Sequence, residues 1–172
     1  MALIIENGTI VANANSYVSI AVLNDYLLSI GVTTTASDAV KESYLILAMQ
    51  YLEALRNKFK GSKVSSLQTL QWPRQYVQID GFDLAITTMP TELIKAQCQL
   101  VVEQIKGNPL FPASKTVVAQ GSVIEETIGP MTTKYAASNQ LSSTTPILFA
   151  SVNAFLNVLT NSYCGSLTTV RV

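Results

Sequence analysis

The stretch 37-SDAVKESYLILAMQYLEALRNKFKGSKVSSLQTLQWPR-74 decides the fold. Within it Val40, Tyr44, Leu47, Ala48, Tyr51, Leu52 and Leu55 recur at three- and four-residue spacings. That rhythm puts them on one face of a helix and predicts the central core helix, with Ser37 as its cap and Gly61 as its stop. A basic turn, Lys58-Phe59-Lys60-Gly61-Ser62-Lys63, follows, and a polar segment then closes on Gln71-Trp72-Pro73-Arg74. Proline disfavours helical backbone in the residue before it, so the one tryptophan stands on an extended segment and its indole folds back on the helix. Trp72, Pro73, Tyr51 and Leu55 are therefore the expected core anchor, with Arg74 in solvent, because a lone Trp-Pro-Arg is more often a packed loop than a binding site.

Toward the N-terminus, residues 1–13 contain two β-prone runs around Asn7-Gly8, the dipeptide that best tolerates a tight hairpin turn, and predict a short hairpin. Ser19 then caps a helix with the stripe Leu23, Tyr26, Leu27 and Ile30, which Gly31 stops. The helical core spans residues 16–110. After Trp72, residues 76–82 alternate and turn at Asp80-Gly81, which reads as an irregular extended excursion. Pro90 opens a third helix, with Thr91 and Glu92 in its first turn and the stripe Ile94, Cys98, Val101 and Ile105.

Toward the C-terminus the pattern turns to β. Val117, Val118, Val123, Ile124, Thr127 and Ile128 precede Gly129-Pro130, and residues 131–135 follow, so a hairpin is expected over 115–136. A fourth helix over 146–162 has the stripe Leu148, Val152, Phe155, Leu156 and Leu159. Residues 163–172 end the chain as an extended arm, too short to pair with itself. The fold class is thus mainly α: a small bundle of about four helices with a protruding β-hairpin, an N-terminal hairpin and a C-terminal arm, in one domain.

Composition narrows the chemistry. Of 172 residues 48% are hydrophobic, which excludes a disordered chain, and eleven basic residues cancel eleven acidic ones. The broad positive field that drives binding to phosphate backbones is therefore not expected. The chain has no histidine, which removes the commonest general base and metal ligand together. Cys98 and Cys164 have no metal-ligand spacing, and reduced thiols in a cytoplasm are the default reading. The closest approach to paired catalytic carboxylates is Glu125-Glu126, and neighbours on a strand point to opposite faces. No basic leader, membrane span, phosphate loop, cofactor, metal or catalytic site is expected, and the chain is read as a non-enzyme.

Residues 3–9 (LIIENGT), residues 14–19 (ANSYVS), Phe59-Lys60-Gly61, Gln71-Trp72-Pro73-Arg74 and the helix-opening Pro90 occur in an order that resembles the tailed-phage head-to-tail adaptor family. These are also called head completion or connector proteins, and some members are labelled DnaT-like single-stranded-DNA-binding proteins. The resemblance covers most of the chain and is strongest from Leu3 to about Gly107. It departs from the family at Val22, where members often carry an acidic residue that completes a capping box.

The resemblance implies a dodecameric ring in the virion, assembled in the host cytoplasm. Such a ring joins the portal protein to the tail or tail nozzle and passes double-stranded DNA without reading its sequence. It implies that Ser166, Leu167, Thr168, Thr169, Val170, Arg171 and Val172 form a portal-docking arm. Val123, Glu125, Glu126 and Lys134 of the hairpin would face solvent, a neighbouring subunit or the channel. The competing reading is a single-stranded-DNA-binding module, with Tyr76 and Phe82 near Arg74 as a weak stacking platform interrupted by Asp80 and Asp83.

Overall fold

The structure, a computed structural model, describes residues 2–111, 125–128, 131–134 and 149–161. The chain divides into two compact units, Met1–Leu110 with Leu148–Val172, and Phe111–Ile147. The first unit holds four helices: α1 (Ile20–Ser29), α2 (Asp38–Ala54), α3 (Thr91–Ile105) and α4 (Ala150–Leu156). It also holds two minimal antiparallel ladders, β1 (Ser62–Lys63) with β2 (Arg74–Gln75), and β3 (Gln78–Ile79) with β4 (Phe82–Asp83). In the second unit β5 (Glu125–Ile128) pairs antiparallel with β6 (Met131–Lys134), in the register Glu125 to Lys134 and Ile128 to Met131. The mainly helical class with a hairpin is the one expected from sequence.

The central helix is α3 and not α2, a correction to the expected order of importance. α3 packs against each of the other three helices. It buries Leu93, Ala96, Gln97, Cys98, Leu100, Val101, Val102 and Glu103, which is more than one face of a helix. Amide side chains make this possible, because a glutamine whose hydrogen bonds are met inside costs little to bury. Gln97 is fully buried, its Oε1 accepting from the Tyr17 N–H at 3.0 Å and its Nε2 donating to Ser16 Oγ and the Leu45 carbonyl at 2.9 Å each. One side chain thus ties the segment before α1, α2 and α3 together. Gln104 Nε2 adds a bond to the Tyr44 carbonyl at 2.9 Å.

The face of α2 also differs from the expected stripe. Leu45, Ala48, Met49, Tyr51 and Leu52 are buried, whereas Val40 and Leu47 stand 39% and 40% exposed. Residues 45–49 are apolar without a break, so several stripes satisfy helical spacing and packing against α3 selects among them. α2 ends at Ala54 with Leu55 as C-cap, well before Gly61. Gly61 instead permits a close approach of two backbones: at φ +66 it lies so near β2 that a methyl group would strike the Gln75 carbonyl oxygen. Ser37 caps α2 by backbone position without a side-chain bond, whereas Ser19 Oγ accepts from Val22 N–H at 3.3 Å. Gly31, at φ +69, follows α1 as expected.

Residues 2–13 do not form the expected hairpin. Asn7 and Gly8 do turn, Asn7 Oδ1 accepting from the Thr9 N–H at 3.1 Å, but Ile5 bridges Ser16 in parallel instead of pairing across the turn. The buried Glu6 carboxylate takes the place of a partner strand. It accepts from the Gly8, Ile10 and Val11 N–H groups at 2.9, 3.0 and 2.8 Å. These three hydrogen bonds fold the loop around one side chain.

α4 is shorter than the expected 146–162, although Val152, Leu156 and Leu159 are buried as the stripe required. The chain then runs antiparallel to the basic turn. Lys60 N–H donates to the Leu159 carbonyl at 2.9 Å and Asn161 N–H to the Lys58 carbonyl at 2.8 Å, around the bridge of Phe59 with Thr160. Val123, Leu148, Cys164 and the arm from Ser166 to Val172 lie outside the described residues.

Candidate functional site

The basic turn and the residues after Trp72 converge on one open depression. It measures about 430 Å³ and is lined by Lys60, Gly61, Tyr76, Gln78, Asp83 and Asn161. Two devices shape its walls. The Asp80-Gly81 turn, both residues at positive φ, folds β4 back on β3 so that Gln78 faces Asp83 and Ile79 faces Phe82. Gln78 Nε2 donates to Asp83 Oδ1 at 2.8 Å. The backbone of Tyr76, at φ +61, leaves its ring 83% exposed, and Phe82 is 78% exposed.

Arg74 is not in solvent, contrary to expectation. It is buried at 7% exposure, with Nε donating to the Lys60 carbonyl and Nη2 to the Gly61 carbonyl, both at 2.7 Å. Nη1 reaches Gln71 Oε1 at 3.2 Å, and the guanidinium lies 5.9 Å from the centre of the Phe59 ring. Burial draws its pKa below the usual arginine value, against the charges of Tyr17 and Glu53 that raise it. Two of its donors go to backbone carbonyls and one to Gln71, so Arg74 holds the rim in place.

Behind the rim lies the anchor. Trp72 is fully buried on a cis Trp72–Pro73 bond and meets Phe59 edge-to-face, with centroids 5.8 Å apart. Its Nε1 has no hydrogen-bond partner among the described residues. Of the other predicted anchor residues Pro73 is buried, Leu55 is half-buried, and Tyr51 packs edge-to-face against Phe149 at 6.0 Å. The polar link from this loop to α2 runs through Glu53. Its Oε1 accepts from Tyr17 Oη at 2.9 Å and from the Gln71 N–H at 2.8 Å, while the Trp72 N–H donates to Tyr17 Oη at 3.3 Å. Burial first, and then the Glu53 carboxylate, hold the Tyr17 hydroxyl well above its usual pKa. Gln68 closes the loop: Nε2 donates to the Leu70 and Pro73 carbonyls at 2.9 and 2.8 Å, and Oε1 accepts from the Val64 and Ser65 N–H groups.

Cys98 is buried on α3, and burial pushes its thiol up to about 12, which makes it a core filler. Near the end of α3, burial would raise the Glu103 pKa. Hydrogen bonds from Lys106 and Asn108, at 2.9 and 2.8 Å, bring it below the usual carboxylate value instead. No group of three or more His, Cys, Asp or Glu gathers as a metal site among the described residues. Nor is any helix among them long and apolar enough to cross a membrane.

The structural roles of Glu6, Gln68 and Gln97 were missed by sequence reasoning. For Gln97 a signal existed: it falls four residues after Leu93 and three before Leu100, on the face those leucines bury. Of the predicted hairpin residues Glu125, Glu126 and Lys134 lie on β5 and β6, with Glu125 opposite Lys134 in the register.

A family model described as "Putative DnaT-like ssDNA binding protein" matches residues 1–172. No curated protein and no solved structure matches the chain.

Proposed function

This chain belongs to the DnaT-like ssDNA-binding family that matches its whole length; on the order of its motifs, and not on that match, we propose that it serves as a non-enzymatic ring subunit joining a phage portal to its tail. The order of motifs, which resembles that of head-to-tail adaptors, supports this reading, since some members of that family carry the same DnaT-like label. The observation that carries it is exposed apolar area, of which Tyr76 lines the depression. Tyr76 and Phe82 present large exposed aromatic area, Leu67 near them in sequence is 89% exposed, and Arg74 is withdrawn into backbone contacts. Exposed aromatic area with balanced charge suits contact between protein subunits. In this reading the ring has twelve copies, the arm from Ser166 to Val172 docks on portal, and double-stranded DNA passes through without sequence recognition.

The second reading, binding of single-stranded DNA, is favoured by the family's description and by the same two aromatic rings. Stacking platforms combine aromatic rings with a cationic track, and among the described residues Lys60 is the only basic one lining the depression, together with the acidic Asp83. Electron microscopy of the chain with its portal, beside a gel shift with single-stranded oligonucleotide at low and moderate salt, separates the two. Rings on portal with weak DNA retention that vanishes at moderate salt are expected. Tight, salt-tolerant DNA retention without rings would replace the adaptor reading with the second one.

A further inference from the structure

The turn dipeptide Asn7-Gly8 is open to a reaction of its own, because glycine puts no side chain in the way when its backbone nitrogen approaches the asparagine Cγ. Packing imposes the glycine. Gly8 is buried at φ +99, and a methyl group there would strike the Thr87 carbonyl oxygen. Asn7 is exposed, so water reaches its side chain. Both reacting groups are nevertheless engaged elsewhere. Gly8 N–H donates to Glu6 Oε1 at 2.9 Å, while Asn7 Oδ1 accepts from the Thr9 N–H at 3.1 Å and from Thr9 Oγ1 at 2.7 Å. The same Glu6 side chain gathers the Ile10 and Val11 N–H groups, and its own N–H donates to the Ser16 carbonyl at 2.9 Å. The buried carboxyl thus fastens the turn to the body of the protein.

We propose that Asn7 is a latent deamidation site, closed while Glu6 holds the loop and open when the loop detaches. In the reaction the Gly8 nitrogen bonds to Asn7 Cγ, the Cγ–Nδ2 bond breaks, and ammonia leaves with the proton of the attacking N–H. Water then opens the five-membered imide. Opening at Cγ leaves aspartate, whereas opening at the former backbone carbonyl leaves isoaspartate, whose chain runs through the side chain and is one methylene longer. In the folded loop the Gly8 proton is bound by Glu6 and Asn7 Oδ1 by Thr9, so attack must break bonds on both partners while Gly8 stays wedged against Thr87. Local opening removes all three restraints together. The isoaspartyl product cannot close again, because the added methylene displaces Gly8 at a place where even a methyl group finds no room. A reversible opening is thereby made permanent.

Ageing the full chain in mildly alkaline buffer, with mass spectrometry of the peptide that contains Asn7, tests the proposal. Native wild type should deamidate at least about tenfold more slowly than the same chain in denaturant, as a reaction confined to the open loop requires. Glu6→Gln sets an amide NH2 against one of the three backbone donors and should speed the native reaction, with circular dichroism checking that helicity is kept. Thr9→Val removes only the Oγ1 bond and should give a smaller acceleration. Should Glu6→Gln fail to fold, wild type in denaturant below its unfolding transition replaces it and should also react faster than in buffer. Isoaspartyl chains, separated by chromatography and returned to native buffer, should lose hydrogen-exchange protection at the Gly8, Ile10 and Val11 amides while the helices keep theirs. Equal rates for native and denatured wild type overturn the proposal. So does a folded Glu6→Gln that reacts at the wild-type rate, or an isoaspartyl chain that regains protection at those three amides.

Discussion

Arg74 and Trp72 flank one proline, and the arginine is buried almost as fully as the indole, against what its polarity suggests. The guanidinium goes inside because the Lys60 and Gly61 carbonyls, beside the tight approach at Gly61, need donors more than Arg74 needs water. Trp72 contributes packing alone, since its Nε1 has no partner among the described residues. Trp72→Ala should cost about 3 to 5 kcal/mol. Trp72→Phe should cost less, because it removes volume but no hydrogen bond seen in the fold. Denaturant titration of both variants checks the order. Cys98 carries a pH prediction. Its thiol, ordinarily near 9.0, is raised to about 12 in the fold. The folded state therefore holds a proton that the unfolded chain releases, and this contribution is full below about pH 9 and lost as pH rises toward about 12. Cys98→Ala should flatten the alkaline fall in stability over that window, and the native thiol should resist alkylation at about pH 8 until the protein unfolds. An unchanged alkaline profile, or rapid alkylation of native protein, contradicts the burial.

At the scale of elements the helices are joined by amides as much as by apolar stripes. From α3, Gln97 reaches Tyr17, Ser16 and Leu45 at once. Gln97→Leu is close in size but removes those bonds and leaves the buried Tyr17 N–H without its acceptor, at about 1 to 3 kcal/mol. The variant should melt earlier than Val40→Ala, which trims a half-exposed side chain on α2. Thermal melts of the pair decide whether α3 or α2 organises the bundle. Glu6 works similarly for the N-terminal loop, where a carboxylate collects three backbone donors that a β-ladder would have used.

For the whole molecule, the path of the chain after α4 matters most. Residues 159–161 are held against the basic turn, and Asn161 lines the depression. Asn161 therefore sits on the same surface as Lys60 and Tyr76. A chain ending at Gly165 keeps every described helix and every bond of residues 159–161. It should show wild-type helicity and melting but fail to bind portal, if the segment from Ser166 to Val172 is the docking arm. Co-sedimentation with portal particles reads the difference, and normal binding by the shortened chain would move docking to the helical body or the hairpin.

Much of this architecture was legible in the residues themselves. Four helices, the cap at Ser19, the stop at Gly31, the place of Pro90 before α3, and the burial of Trp72 and Cys98 follow from local rules: spacing, backbone angles and the cost of exposing large apolar groups. The charge balance and the missing histidine argue against a phosphate-tracking groove or a common catalytic base on composition alone. Which apolar face of α2 turns inward, that α3 is the centre, that Glu6 replaces a hairpin partner and that Arg74 is a clamp were decided by tertiary structure. Most of these depend on residues far apart in sequence meeting at hydrogen-bonding distance, as Gln97 does with Tyr17 and Leu45. A hydrogen bond between such residues leaves no local periodicity to read, because the energy that fixes them comes from satisfying buried polar groups in three dimensions.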